Sequence, residues 1–269
     1  MIAFYLDKLG YRLCKKETYA AMEEERERLH QQVNAAGGMQ YLPLTSCGDL
    51  VRHEFSRVQF AGAALQKVID DYAFETVLDI GAGAMHHSEI FARYGKKVTA
   101  VDYGVSVYYR QHVTGDGIAI NKILGDFNHI DFGEVYDCVW ASHVLEHQVN
   151  TDDFLKKVVS LTREGGVIAI TVPPFKHDIV GGHVSLWNAG LLLYRLVLAG
   201  VDCSTASVMS YGYNISVIVR KKTVSAYDCG IEFDCGDIRR IKHFLPKGIK
   251  YFSNESDDPF NGNIAKLNW

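Results

Sequence analysis

The segment Val77-Leu78-Asp79-Ile80-Gly81-Ala82-Gly83-Ala84-Met85-His86 sets the architecture of this chain. An apolar run carrying one carboxylate reaches a Gly-x-Gly turn, and the spacing predicts a helix from His87 or Ser88. Glycine permits positive φ and lets a ligand approach the backbone. The helix N-terminus beyond it offers unpaired N–H groups to a polar ligand. Downstream the alternation repeats. Thr76–Ile80, Lys97–Val101, Ile118–Leu124, Tyr136–Ala141, Gly166–Val172 and Tyr213–Val219 read as strands, with segments long enough for helices between them. Strand and helix in alternation indicate a parallel α/β sheet covered on both faces. The runs CVWA and VIAITV are apolar throughout, as doubly buried strands require.

Outward from this core the texture changes. Residues 1–74 read as helical: Glu17 to Val33 holds strong helix formers, Ala35-Ala36-Gly37-Gly38 breaks them, and Asp49 is placed to cap a second helix running to Tyr72. In that second segment Val51, Phe55, Val58, Ala61, Leu65, Val68 and Ile69 recur at helical spacing. Residues 222–269 are more polar and read as an appended lobe or tail. The 269 residues are 48% hydrophobic and 22% charged, which excludes global disorder. A net charge of −4 argues against a dedicated nucleic-acid binder. Cysteines at 14, 47, 138, 203, 229 and 235 form no CxxC pair, and the opening residues have no secretory pattern, so reduced thiols and a cytoplasmic location are expected. The longest apolar stretch, Leu186 to Val201, is interrupted by Asn188 and Arg195, so no integral membrane segment is expected.

Three carboxylates follow successive strands: Asp79, Asp102 in VTAVDYG and Asp126 in LGDF. A dinucleotide fingerprint would need a third glycine where His86 stands, and Asp79 is poorly suited to a pyrophosphate. It suits a cation. Asp102 lies at the separation expected of an acid that hydrogen-bonds a ribose. Asp126 with Phe127 pairs an acceptor for an amino group with a ring that can stack. Any one of these acids alone would also serve as a helix N-cap.

With these segments in view, the chain resembles the class I S-adenosylmethionine-dependent methyltransferases over roughly residues 50–221. The resemblance rests on VLDIGAGA, VTAVDYG, LGDF, YDCVWASHVLEH and LTREGGVIAITVPP, in family order and spacing; Ala84 departs from it, where a third glycine is common. It implies a Rossmann-like α/β fold with a doubly wound, mostly parallel, seven-stranded sheet. The parts are an N-terminal helical extension (1–74), an S-adenosyl-L-methionine-binding core (75–221) and a C-terminal addition (222–269). By the same resemblance Asp79, Gly81 and Gly83 line the methionine end of the cofactor, Asp102 holds the ribose hydroxyls and Tyr103 packs beside the adenine. Asp126 and Phe127 would read and cover the adenine, and Ala141, Ser142 and His143 would floor the substrate site beneath the sulfonium.

A hydroxyl acceptor benefits from a base, and histidine suits that task. His143, His177 and His183 are the candidates, as base or as substrate hydrogen-bonders; each also has a structural reading, satisfying loop carbonyls. The expected function is O-methylation of a small molecule or of a sugar of a surface glycan. The alternatives are a binding module that holds the cofactor without transfer and a zinc metallopeptidase. The peptidase reading uses His143-Val144-Leu145-Glu146-His147, an HxxEH match that requires a long helix. The resemblance explains this segment without a metal, so none is assigned. No Asn/Asp-Pro-Pro-Tyr/Phe stands after the fourth strand, where base-amino methylation would show it.

Overall fold

Strand side chains alternate between faces, and here both faces are covered. Leu78, Ile80, Val139, Ala141, Ile168 and Ile170 belong to one buried cluster, and Val77, Cys138, Trp140, Val167 and Ala169 to another. The computed structural model describes residues 41–43, 50–111, 118–252 and 258–269. The expected helix over Glu17–Val33 and its break, Cys14, Cys47 and the Asp49 cap lie outside the described residues. The chain divides into two compact units, Met1–Leu42 and Pro43–Trp269, and the fold below belongs to the second.

Its strands are β1 (Thr76–Ile80), β2 (Lys97–Asp102), β3 (Ile120–Leu124), β4 (Tyr136–Ser142), β5 (Thr162–Val172), β6 (Ser207–Tyr211), β7 (Asn214–Arg220) and β8 (Lys266–Leu267). Their order in the sheet is β8-β6-β7-β5-β4-β1-β2-β3. The five strands β5-β4-β1-β2-β3 are parallel, while β7, β6 and β8 add antiparallel. The fold is thus Rossmann-like α/β with a parallel core, and the sheet has eight strands where seven were expected. The additional edge comes from Lys266 pairing with Met209 and Leu267 with Val208. Strand β6 was not foreseen. It is five residues long, and the two-residue turn Gly212-Tyr213, with Gly212 at φ 51°, folds it directly onto β7.

The helices are α1 (Gly62–Asp71), α2 (His86–Arg93), α3 (Thr151–Leu161), α4 (Ala189–Leu198) and α5 (Asp237–Ile241). Asn150 caps α3 by accepting from Asp153 N–H, and Asn188 caps α4 by accepting from Leu191 N–H. The continuous helix expected up to Tyr72 is broken. Leu50–Arg52 is a strand, His53–Ser56 a single helical turn, and α1 starts only at Gly62. Ala61 adopts φ 55°, and a Cβ on Gly62 would lie 2.0 Å from the Phe55 carbonyl oxygen, so the chain doubles back there. Val51, Phe55, Ala61, Leu65 and Val68 are nonetheless all buried. The periodicity reported burial, not an unbroken helix. Beyond β7, Ile241, Leu245 and Ile249 join the cluster that holds α3 and α4.

Trp140 anchors the second face. It is 1% exposed, meets Phe91 edge-on at 5.6 Å, and donates its indole N–H to His87 Nδ1 at 3.2 Å. Trp140→Ala should destabilise the fold by about 3–5 kcal/mol, measured as a lowered urea midpoint with an unchanged slope.

Candidate active site

Asp79, Gly81, Gly83, Asp102 and Asp126 fall at the carboxyl ends of β1 to β3, where open α/β sheets bind ligands. Gly81 and Ala82 donate their N–H groups to the Val101 carbonyl at 2.8 and 3.2 Å, turning the chain off β1. Gly81 has φ 68°, and a Cβ there would sit 2.3 Å from Val144 Cγ2, so the turn and the HVLEH segment meet at a position only glycine fills. Met85 (φ 62°) ends the loop, and α2 starts at His86, just ahead of the predicted start.

Asp102 braces this loop. One carboxylate oxygen accepts Gly83 N–H at 2.9 Å and the other accepts Gly104 N–H at 2.8 Å. Asp79 lies beneath, 2% exposed, accepting the Ser88 hydroxyl proton at 2.5 Å. Burial, joined by the charge of Asp102 and opposed by the Ser88 hydrogen bond, pushes the Asp79 carboxyl up to about 7. Asp126 is held low by hydrogen bonds from Asn128 N–H, the Tyr103 hydroxyl and His129, which together outweigh its burial. Tyr103 is 58% exposed, its hydroxyl donating to Asp126. The Phe127 ring is 5% exposed and packs against Phe132, Phe154 and Lys157, within the core beneath α3. Ser142, at the end of β4, has a buried hydroxyl with no hydrogen-bond partner.

The histidines separate. His143 has left-handed backbone (φ 56°) and is clasped between Phe60, at 4.2 Å between ring centres, and Tyr213, at 5.9 Å. Its Nε2 faces Asn214 Oδ1 at 3.1 Å, an oxygen that also accepts Ala61 N–H at 3.0 Å. Asn214 Nδ2 donates to the Tyr211 carbonyl, so its orientation is set and His143 Nε2 must carry the proton. His143 Nδ1 lies 3.3 Å from the wholly buried Glu146. Nε2 is therefore committed to Asn214, while Nδ1 faces Glu146 without a hydrogen bond. His177 stands exposed on the loop after β5, against Phe175 at 5.1 Å. His183, on the same loop, is half-buried and meets His147 edge-on at 4.9 Å; burial holds it below the usual imidazole range. His87 has no ligand role, since it bonds the Phe60 carbonyl and Trp140, and burial lowers it to about 4.

Next to His183 a cleft opens to solvent between Pro174, Lys176, Asp178, Trp187 and Tyr213. Glu146, Asn214, Phe60 and Tyr213 join the site only in three dimensions. Glu146 stood in the quoted HVLEH motif; the other three carry no local signal. The HxxEH segment is not the long helix a zincin needs, because His143 precedes a single 3-10 turn, Leu145–His147.

Two close carboxylates, one of them raised by burial, and an unpartnered hydroxyl ring a tight glycine turn. That donor set fits a cationic adenosyl ligand, with acceptors for its hydroxyls and its positive charge. Residues 78–170 match the methyltransferase domain family. The chain is 29% identical over 120 residues to demethylmenaquinone methyltransferase of Thermobifida fusca, covering 42% of this chain and 50% of that one. It is 30% identical over 122 residues to a ubiquinone biosynthesis O-methyltransferase of Paramagnetospirillum magneticum, covering 44% and 49%. The chain thus spans about half the length of these curated relatives. Human N-acetylserotonin methyltransferase in complex with SAM superposes with a TM-score of 0.48 at 18% identity, over 61% of this chain and 53% of that one. Residues 78–170 are thus similar to a methyltransferase domain, for which S-adenosyl-L-methionine is the methyl donor. No helix of the described residues is long and apolar enough to cross a membrane.

Asn214→Ala removes the acceptor shared by Ala61 N–H and His143 Nε2–H. Two buried donors left unpaired should cost about 1–3 kcal/mol, read as a fall in unfolding free energy in urea.

Proposed function

We propose that the whole chain transfers a methyl group from S-adenosyl-L-methionine to a hydroxyl oxygen of a small molecule. The observation that carries this reading is the acidic cradle, Asp79 below and Asp102 beside the Gly81–Gly83 turn. The donor brings an electrophilic methyl: as the acceptor oxygen forms its bond to that carbon, the carbon–sulfur bond breaks, its electron pair stays on sulfur, and the hydroxyl proton leaves to a base.

The protein's task is to bind, orient and take up that proton, and alignment alone supplies on the order of 7–11 kcal/mol. Asp79, Gly81 and Gly83 hold the methionine end, with the glycines admitting close backbone approach. Asp102 offers its remaining lone pairs to the ribose hydroxyls. Tyr103 and Asp126 border the adenine, and Phe127 contributes through its backbone. Ser142 and His143 form the floor, with His143 fixed by Asn214. His183, which opens onto the cleft, is better placed as the base than the outlying His177.

The loop after β5 that borders the cleft displays Phe175, Ile179, Val184 and Leu186, each more than 40% exposed. An apolar rim favours an acceptor with an apolar body over a sugar of a surface glycan. The names of the two curated relatives, with their quinone frameworks, point the same way. As an acceptor class we take hydroxylated aromatic molecules carrying an apolar substituent.

Because Asp79 is a carboxyl raised in the folded state, it favours the protonated form below about 7, and a bound cation favours the ionised form. Donor affinity should therefore rise with pH up to about 7 and level off above it, with proton uptake from the protein by the buffer on binding at pH 6. Calorimetry at several pH values checks this; a flat profile contradicts it. In the absence of ligand the same sign makes stability fall as pH rises from the ordinary carboxyl value towards 7.

Turnover separates transfer from mere binding. S-adenosylhomocysteine should accumulate only when a hydroxylated acceptor is present, and Asp102→Ala should raise the KM for the donor about tenfold to a hundredfold through a lost charged hydrogen bond. Binding of the donor with no turnover across a panel of phenolic acceptors would favour the non-catalytic binding module.

A further inference from the structure

We propose that Glu146, His147 and His183 form a binding site for one divalent transition-metal ion at the edge of the acceptor cleft. One ligand atom from each lies within 4.8 Å of the others, and His147 Nε2 is 3.9 Å from Glu146 Oε1. Glu146 is 0% exposed, and neither of its carboxylate oxygens has a hydrogen-bond partner. A bare buried carboxylate is costly unless a cation meets it. The nearest nitrogen, His143 Nδ1 at 3.3 Å, makes no hydrogen bond to it, and that ring's proton lies on Nε2 against Asn214.

The histidines are prepared as ligands. His147 Nδ1 donates to the Gly182 carbonyl at 2.8 Å, which fixes the tautomer and leaves Nε2 with its lone pair free. Metal-bound histidines characteristically donate their second N–H in this way. Gly182 reaches His147 only because it is glycine: it has φ +83°, and a Cβ would lie 3.1 Å from Nδ1. The loop carrying His183 is stitched to Glu146 by Val184 N–H and Ser185 N–H, both donating to the Glu146 carbonyl, at 2.9 and 3.3 Å. Behind Glu146 stand His143 and then Asn214.

Two imidazoles and a carboxylate suit zinc and its first-row neighbours rather than magnesium or calcium. Three protein ligands leave a position open, the pattern of reactive rather than structural zinc sites. Ligand atoms around a tetrahedral zinc stand about 3.3 Å apart at its usual bond lengths, so the His183 loop closes inward on loading. On the methyltransferase reading above, the open position takes the acceptor's hydroxyl, whose proton a bound cation makes easier to lose. With His183 bound to the ion, the hydroxyl proton leaves to solvent water in the open cleft, and the ion supplies the activation that His183 as a base would otherwise give. The inner HxxEH pattern contributes Glu146 and His147 as ligands, with His143 behind them.

The full chain, stripped with EDTA and titrated calorimetrically with ZnCl2, should bind one equivalent with an affinity on the order of micromolar or tighter. Bound Co2+ should show the visible absorption of a low-symmetry site. His147→Ala and His183→Ala, both on solvent-reached loops, should each weaken zinc at least about tenfold, and Glu146→Gln should do the same. S-adenosylhomocysteine should bind all three variants as it binds the unsubstituted chain. Absence of saturable zinc uptake overturns the site, as does uptake that the histidine substitutions leave unchanged. Zinc binding that depends on these residues in a chain that fails to bind S-adenosylhomocysteine would retain the metal site and refute the methyltransferase reading.

Discussion

Asp102 is the tie on which the upper surface of the sheet depends. Its two oxygens hold Gly83 and Gly104, so the loops leaving β1 and β2 are set by one carboxylate. Burial raises the Asp79 carboxyl beneath it, with a smaller push from the charge of Asp102 and against the hydrogen bond from Ser88. The result is negative charge concentrated at a turn whose glycines leave room above the backbone. Such a place attracts a cation with hydroxyls and repels a pyrophosphate.

A second set of constraints meets this one at Gly81. Val144 packs where a side chain on Gly81 would lie, and Val144 sits between His143 and Glu146 in sequence. The hairpin turn between β6 and β7 brings Tyr213 and Asn214 to His143, and the loop after β5 brings Gly182 and His183 to His147. Donor side and acceptor side are therefore joined through five consecutive residues.

The parallel core was legible because strands buried on both faces are apolar throughout, and because the acids fall just where such strands end. Asp79, Gly81, Gly83 and Asp102 are placed by that logic. Other features depend on contacts distant in sequence. The path before Gly62 turns on a close approach to Phe55, while the apolar spacing there is equally compatible with one helix. Phe127 follows an acid at a strand end, yet Phe154 and Phe132 draw its ring into the core. His143 resembled a base until Asn214, 71 residues away, fixed its proton. The eighth strand rests on two residues at the far end of the chain, too short to register as a pattern.

The central claim is that Asp102 and the Gly81–Gly83 turn receive an adenosyl ligand. A crystal structure of the chain with S-adenosylhomocysteine tests it most directly. The nucleoside should lie over the turn, its ribose hydroxyls within hydrogen-bond distance of Asp102 and its sulfur facing Ser142. Density for the nucleoside elsewhere, with Asp102 still bound only to the amides of Gly83 and Gly104, would contradict the account.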